Sequence, residues 1–140
     1  MAMSFKAKSR LIFYTSSFMV MFMLQINATT RIALAINPVD FRKGIDTLAA
    51  YCLKQVGIDP FSGRLFAFRN RAGTAVKLLI YDGNGFWLCH KRFSKGKLKW
   101  WPKAHTDTVA IKATELMICL QQGSPTKAGF PNDWRAVVTN

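Results

Sequence analysis

Three short segments rich in Gly, Asn and Ser divide the middle of the chain into four apolar runs, and this punctuation constrains the fold more than any other feature. The turn segments are Asn70–Gly73, Asp82–Gly85 and Ser94–Gly96, and the runs are Leu65–Arg69, Ala75–Tyr81, Phe86–Phe93 and Lys97–Trp101. Gly and Asn accept the positive φ angles that tight hairpins need. Connections this short cannot carry a parallel strand back across a sheet. The pattern therefore predicts an antiparallel β-meander from Arg64 to Pro102.

Further elements are predicted on both sides of the meander. Before it, Arg31–Ile36 has the composition of a short strand, and Phe41–Val56 has helical spacing with Asp40 as its N-cap and Gly57 as its stop. After it come a short apolar run, Val109–Ile111, and a second helix, Ala113–Gln122. The predicted fold class is α+β, with a small antiparallel β-meander of about four to five strands packed against two helices. We expect residues 23–123 to form this single basic domain and residues 124–140 to form an irregular C-terminal tail.

The central hairpin can be read at the level of single side chains, because alternate residues of a strand point to opposite faces. One face collects Val76, Leu78, Ile80, Trp87, Cys89 and Phe93, with Lys91 as an exception. The other collects Lys77, Leu79, Tyr81, Phe86, Leu88, His90 and Arg92. The first set is expected to form the core. The second is expected to be apolar near the turn and basic at its far end.

The charge of the chain indicates a polyanionic partner. Twenty Lys and Arg residues face seven Asp and Glu residues, a net charge of +13, and the stretch from Arg64 to Lys103 holds ten basic residues and one acid, Asp82. Such an excess favours nucleic acid, with an anionic membrane surface or an acidic protein as alternatives. The interleaved aromatics could stack on bases, but core packing is the favoured interpretation for them. The DNA-binding candidates within the meander are Arg69, Arg71, Lys77, His90, Lys91, Arg92, Lys95, Lys97 and Lys99.

The acidic residues and cysteines of the sequence do not have the spacing of a catalytic site or a metal site. The seven acids are scattered, whereas two-metal phosphoryl transfer needs carboxylates that converge on the ions. Cys52, Cys89 and Cys119 are dispersed and form no CxxC pair. We therefore expect no catalytic residue, metal site, cofactor or small-molecule substrate. Three dispersed thiols are typical of a reducing cytosol, and the protein is expected to be cytoplasmic and not to associate with a membrane.

The first 22 residues follow a different plan. Lys6, Lys8 and Arg10 precede the apolar run Leu11–Ile26, as in a secretory signal, although the run is short for a bilayer span. Translation could start at Met19, Met21 or Met23, and a start at Met23 would make residues 1–22 a non-native extension. The extension is the favoured interpretation, because the cysteines and the charge weigh against export. A signal-like segment and a genuine cytosolic extension remain alternatives.

Three long motifs in the chain resemble one known family. They are NPVDFRKGIDTLA (37–49), DPFSGRLFAFRNRAG (59–73) and KLLIYDGNGFWLCHKRFSKGKLKWWP (77–102). In this order they resemble the TnpB accessory protein of bacterial insertion sequences of the IS-sixty-six type, which is distinct from the RNA-guided nuclease of the same name. The resemblance covers about Arg31 to Gly123. The sequence departs from the family pattern in the doubled Trp100–Trp101. Family members usually begin a few residues before the first strand, which makes Met23 the natural start.

This resemblance implies a non-catalytic role in DNA transposition beside a separate transposase, and it supplies no catalytic residues. It adds the matching Arg42 and Lys43 to the DNA-binding candidates. The leading hypothesis is an accessory factor that binds the DNA of the transposon ends. The alternative is a protein-interaction module whose basic face binds the transposase without direct DNA recognition.

Overall fold

The computed structural model describes residues 26–127, which form five strands, two longer helices and a short 3-10 helix, Pro60–Ser62, in one domain. The strands are β1 (Ile32–Ala35), β2 (Leu65–Arg69), β3 (Ala75–Tyr81), β4 (Phe86–Arg92) and β5 (Thr108–Ile111). The helices are α1 (Ile45–Tyr51), which continues as a π-helical segment Cys52–Val56, and α2 (Ala113–Leu120). The expectations for residues 1–22, for a start at Met23 and for the tail after residue 127 lie outside the described residues.

The sheet has the order β4-β3-β2-β1-β5 and is mixed. The meander β2-β3-β4 is antiparallel, as predicted. Strand β1 pairs with β2 in parallel, and β5 pairs with β1 in antiparallel orientation. The parallel pair arises because α1 and its π-helical extension return the chain to the end of the sheet where β1 began. The α+β class is therefore confirmed, and the complete sheet is mixed because β1 lies outside the hairpin-connected part.

The central hairpin has the predicted set of side chains on each face. Leu78 pairs with Cys89, and Tyr81 pairs with Phe86 next to the turn. The Asp82 carboxylate accepts hydrogen bonds from the amides of Asn84 and Gly85, both at 2.9 Å. Gly83 has a φ of 98°, which other residues rarely adopt. The turn residues thus fix which side chains share a face.

Both faces of the sheet are packed. The face that contains Leu78 and Cys89 lies against α2, whose Leu116 is fully buried there. The opposite face, which contains Leu79 and Leu88, lies against Leu48 and Cys52 of the α1 region. The predicted apolar stripe of the first helix faces this second core: Ile45, Leu48, Ala49, Cys52 and Val56. The expectation that only one face of the hairpin forms core was wrong, because α1 covers the other.

The first helix begins later than predicted. Asp40 is not its N-cap: its carboxylate accepts the amide of Arg42, 2.9 Å away, in a turn that precedes the helix. Gly44 stands at the N-cap position in an extended conformation. The Asp40 side chain forms a local turn instead, a role in which Asp competes with helix formation. The predicted stop at Gly57 is confirmed by its left-handed φ of 75°.

The predicted fourth strand of the meander, Lys97–Trp101, is not a strand. Residues 93–107, which we call the crossing loop, instead run across one end of the sheet from β4 to β5. The Leu98 amide donates to the Gly73 carbonyl at 2.8 Å, and the Trp101 indole donates to the Ala35 carbonyl at 2.8 Å. The loop crosses instead of extending the sheet because Leu98 and Trp101 pack into the α2-side core.

Within residues 26–127 no helix is long and apolar enough to cross a membrane.

Candidate nucleic-acid interface

Three loops come together at one end of the sheet, which we call the basic end. They are the β1–α1 loop (36–44), the β2–β3 turn (70–74) and the crossing loop (93–107). Together with Arg69 and Arg92 at the adjoining strand ends, these loops carry nine basic residues and two acids, Asp40 and Asp107. At the opposite end, the segments around Arg31, 57–64, 82–85 and Lys112 carry charges of both signs. The charge of the domain is therefore polarised along the strands.

Seven cations at the basic end are exposed. They are Arg42, Arg71, Arg92, Lys95, Lys97, Lys99 and Lys103. Six of these were predicted from the sequence as DNA-binding candidates, and the structure brings all six to the same end. Lys103 was missed because it follows the predicted last strand. The signal that could have found it is the absence of any acid between Asp82 and Asp107.

The backbone of the crossing loop is held at several points. The Phe93 amide donates to the Thr74 carbonyl at 2.9 Å. The Gln122 amide group, just after α2, donates to the carbonyls of Lys95 at 2.9 Å and Lys97 at 3.1 Å. These bonds use backbone groups of the loop, so the lysine side chains extend into solvent from a fixed backbone.

The β1–α1 loop presents Arg42 in a defined position. The Arg42 guanidinium contacts the Asp40 carboxylate at 2.6 Å, while the Arg42 side chain is 91% exposed. This hydrogen-bonded guanidinium, with the Arg42 amide, lowers the pKa of Asp40 to about 2. Asp40 therefore remains ionised at neutral pH and offsets part of the charge of Arg42. Lys43, the other candidate in this loop, is half-buried.

Lys77 lies inside the protein, in contrast to the prediction of an exposed basic face. Its side chain is 6% exposed, and its ammonium donates to the carbonyls of Phe41 at 2.9 Å and Lys43 at 2.8 Å. The ammonium also lies 5.0 Å from the centre of the Phe41 ring. Burial lowers the pKa of Lys77. Lys77 thus holds the β1–α1 loop onto the sheet and is not available to a phosphate.

His90 and Lys91 are also occupied within the fold. The His90 ring packs edge-on against Phe41 at 5.4 Å, and burial lowers the pKa of His90 to about 4, so it is neutral at neutral pH. The Lys91 ammonium donates to the Leu120 carbonyl at 2.6 Å, at the C-terminal end of α2, where a cation is favourable. Both side chains are half-buried. His90 and Lys91 therefore lie beside the basic end, but their polar groups are directed into the fold.

Arg69 is intermediate in exposure between the exposed cations of the basic end and the buried Lys77. It is half-buried, and one terminal nitrogen lies 3.4 Å from the Ile36 carbonyl. Its Nε is buried and has no hydrogen-bond partner among residues 26–127. Burial, with a smaller contribution from Arg71, lowers its pKa. Arg69 therefore supports the end of β2 more than it extends toward a ligand.

Two open grooves lie at the basic end. One, of about 540 Å³, separates the β1–α1 loop from the β2–β3 turn and has Asp40 and Arg71 in its walls. The other, of about 270 Å³, has Arg92 and Lys95 in its walls. Both are open to solvent and bordered by cations. Their form suits contact with an extended polyanion better than enclosure of a small molecule.

Most aromatic side chains near the basic end face the interior. Phe66 and Phe68 are fully buried, and Phe93 is 9% exposed. The most exposed aromatic cluster lies at the opposite end, where Phe61 is 58% exposed and contacts Tyr81 at 4.8 Å and Phe86 at 5.1 Å between ring centres. The preference for core packing over base stacking is thus confirmed for the buried phenylalanines.

Among residues 26–127, no group of three His, Cys, Asp or Glu side chains could hold a metal ion. The thiols of Cys52, Cys89 and Cys119 are buried and unbridged. Burial raises the pKa of each to about 12, so the thiolate form is strongly disfavoured. These thiols are packed as small apolar side chains.

Two proteins of Sinorhizobium fredii are similar to this chain. The uncharacterized protein y4hO is 31% identical over 116 residues, which cover 76% of this chain and 100% of that protein. The uncharacterized protein y4jC is 36% identical over 67 residues, which cover 48% of this chain and 57% of that protein. No solved structure matches the chain.

A family model described as IS66 Orf2 like protein matches residues 30–128. The match includes all five strands, both helices and the three loops of the basic end. It confirms the resemblance to the TnpB accessory protein that the three motifs indicated. The chain belongs to the family of IS66 Orf2-like proteins.

Proposed function

We propose that this protein is a DNA-binding accessory factor in the transposition of an insertion sequence, and that its basic end contacts the DNA. The family implies an accessory role in such transposition. The observation that supports DNA contact is the set of seven exposed cations on three loops at one end of the sheet. A cytoplasmic protein without catalytic activity, working beside a separate transposase at the transposon ends, fits this arrangement.

The physical basis is the release of counterions from DNA. Each phosphate that a Lys or Arg neutralises releases condensed counterions, and the logarithm of the binding constant falls by about 0.9 for each tenfold rise in salt per phosphate contacted. If five to seven of the exposed cations contact phosphates, the slope lies between about −4.5 and −6. Half-buried Lys91 and buried Lys77 are not expected to contribute to it.

The test is a titration of labelled element-end DNA with purified protein at several salt concentrations. We expect tight binding at low salt and a slope of about −5 on logarithmic axes. The variant Lys97→Glu with Lys99→Glu should lower the affinity and reduce the slope by about two. Absence of binding at low salt would overturn the proposal.

A matched control separates local contacts from the effect of net charge. Arg31→Glu with Lys54→Glu makes the same charge change at exposed positions away from the basic end. We expect this control to leave the slope nearly unchanged, because screening weakens charges beyond about 10 Å at moderate salt. An equal loss in both variants would mean that total charge, and not the basic end, determines binding.

The exposed cations would also suit an acidic surface on the transposase. A pull-down with purified transposase, after nuclease treatment, distinguishes direct protein contact from contact through DNA. Binding that survives nuclease and is lost in Lys97→Glu with Lys99→Glu, together with no DNA binding, would favour the protein-interaction module.

A further inference from the structure

We infer that the basic end is built for double-stranded DNA, whose phosphate backbones it contacts across a groove, and not for unpaired bases. This inference rests on the proposed function and specifies the class of nucleic acid. Three observations carry it: the width over which the cations are spread, the packing of Phe41, Phe93 and Trp101 against the two cores, and the location of the exposed aromatic cluster.

The width of the basic end matches a duplex. The crossing loop passes the ends of successive strands, with Phe93 beside Thr74, Leu98 beside Gly73, and Asp107 beside Ile36. Five strands are separated by four gaps of about 4.8 Å, so the loop extends over about 19 Å. The major groove of B-DNA is about 12 Å wide. Cations spread over this distance can reach the phosphates on both sides of a groove.

The crossing loop separates its cations from its apolar side chains. Lys95, Lys97 and Lys99 are exposed, whereas Leu98 and Trp101 pack into the α2-side core. The Trp101 indole is further fixed by its hydrogen bond to Ala35. Binding sites for single strands instead combine cations with aromatic faces on which bases stack. Half-buried Trp100 is the one Phe, Tyr or Trp of the crossing loop that lies outside the core cluster and is not buried, and the loop also carries the exposed His105.

The other two loops follow the same rule. Phe41, in the β1–α1 loop, packs against His90 and lies over the Lys77 ammonium. The β2–β3 turn contains no aromatic residue. The three loops therefore present charge and backbone to a ligand, which is the chemistry that recognises phosphates independently of base sequence.

The exposed aromatic cluster is too distant to serve the same ligand site. Phe61 contacts Tyr81, at the far end of β3 from the basic end. Six residue steps of about 3.3 Å place Tyr81 about 20 Å from Ala75. Exposed Asp59 and Asp82 flank this cluster, and these carboxylates repel phosphates. Stacking surface and cations thus lie at opposite ends of the sheet.

The test compares a duplex with each of its two constituent strands, at equal phosphate concentration and equal salt, in direct titration and in competition. We expect the duplex to bind at least about tenfold more tightly. Trp100→Ala and Phe61→Ala should leave duplex affinity unchanged, since neither ring is assigned a contact with DNA. Circular dichroism and a melting curve for each variant establish that it remains folded.

The possible failures are distinguishable. Tighter or equal binding of a single strand, or a loss of DNA binding in Trp100→Ala or Phe61→Ala while the fold is intact, would overturn the inference and leave the proposed function standing. Absence of binding to the duplex and to both strands at low salt would overturn both.

Discussion

The ammonium of Lys77, in the middle of β3, donates a hydrogen bond to the backbone carbonyl of Phe41, 36 residues earlier in the chain. A second bond goes to the Lys43 carbonyl. The buried ammonium thus supplies hydrogen bonds to two backbone carbonyls of the β1–α1 loop that have no partner in a helix or strand. The loop that presents Arg42 is held to the sheet by this side chain.

Replacement of Lys77 should therefore reduce stability without a direct effect on DNA contacts. Lys77→Met keeps most of the volume but leaves two carbonyls without their donor. We expect a loss of about 1–3 kcal/mol in the free energy of unfolding, measured by urea denaturation. The salt slope of DNA binding should not change. The control Lys95→Met should show the reverse pattern, and a Lys77→Met protein of full stability would contradict this role.

Lys91 and Arg92 are neighbours with different expected roles. Lys91→Glu removes the donor to the Leu120 carbonyl and places a negative charge at the C-terminal end of α2. We expect it to lower the free energy of unfolding by about 1–3 kcal/mol. Arg92→Glu, at an exposed position, should leave the melting temperature nearly unchanged and lower DNA affinity. The contrast is measured by melting curves and DNA titrations of the two single variants. Equal effects in both assays would refute the distinction.

The protein should become less stable as the pH is lowered through the range in which His90 takes up a proton. Its pKa is lowered to about 4 by burial and by the nearby Lys77 and Arg92 charges. A base with a depressed pKa in the folded state binds its proton preferentially when unfolded. The contribution is therefore complete above about pH 6.5 and is lost as the pH falls from about 6.5 to about 4.

The expected loss over this window is on the order of 1–2 kcal/mol, reduced from the full linkage value because the ring is partly exposed to solvent. Urea denaturation at a series of pH values measures it. His90→Phe, which keeps a ring against Phe41, should flatten the curve between about pH 6.5 and 4. Asp40 contributes at lower pH, since its depressed pKa of about 2 means that its contribution is lost only below its ordinary pKa of 3.8. An unchanged pH dependence in His90→Phe would assign the window to other groups.

Gln122 should control the order of the crossing loop. Its side chain donates to two carbonyls of that loop, and its own backbone has a positive φ of 62°. Gln122→Gly removes both bonds and suits the backbone conformation, so helix α2 should remain intact. We expect faster trypsin cleavage after Lys95, Lys97 or Lys99 and a moderate loss of DNA affinity. Gln55→Gly, at an exposed site in the π-helical segment, is the control. Unchanged cleavage would show that the other anchors suffice.

The parts of the fold that follow from local sequence were predictable. The position of the hairpin turn follows from Gly83 and Gly85, and the side chains that share each face follow from the alternation along its two strands. The parallel pairing of β1 with β2 was not predicted, because it depends on how a helix of the right length returns the chain to the sheet. Similarly, the alternation placed Lys77 correctly on the face with Leu79. It could not show that α1 covers that face.

The candidate site was predictable in its charge and less so in its geometry. The run from Lys95 to Lys99 contains three of the seven exposed cations, and a run of lysines in the sequence can be recognised without tertiary information. Arg42 joins these lysines only because β1 ends where β4 ends, which is a property of the complete sheet. Lys91 looked equivalent to Arg92 in the sequence, since its burial depends on the Leu120 carbonyl, 29 residues away.

The anchoring of the crossing loop has a consequence for evolution. The loop is held by backbone amides and carbonyls, by Leu98 and Trp101 in the core, and by Gln122. The side chains of its exposed lysines take no part in this anchoring. Each lysine can therefore be exchanged for a neutral or acidic residue with little effect on the free energy of folding. If the basic end binds DNA as proposed, its affinity can therefore change one charge at a time while the domain keeps its fold.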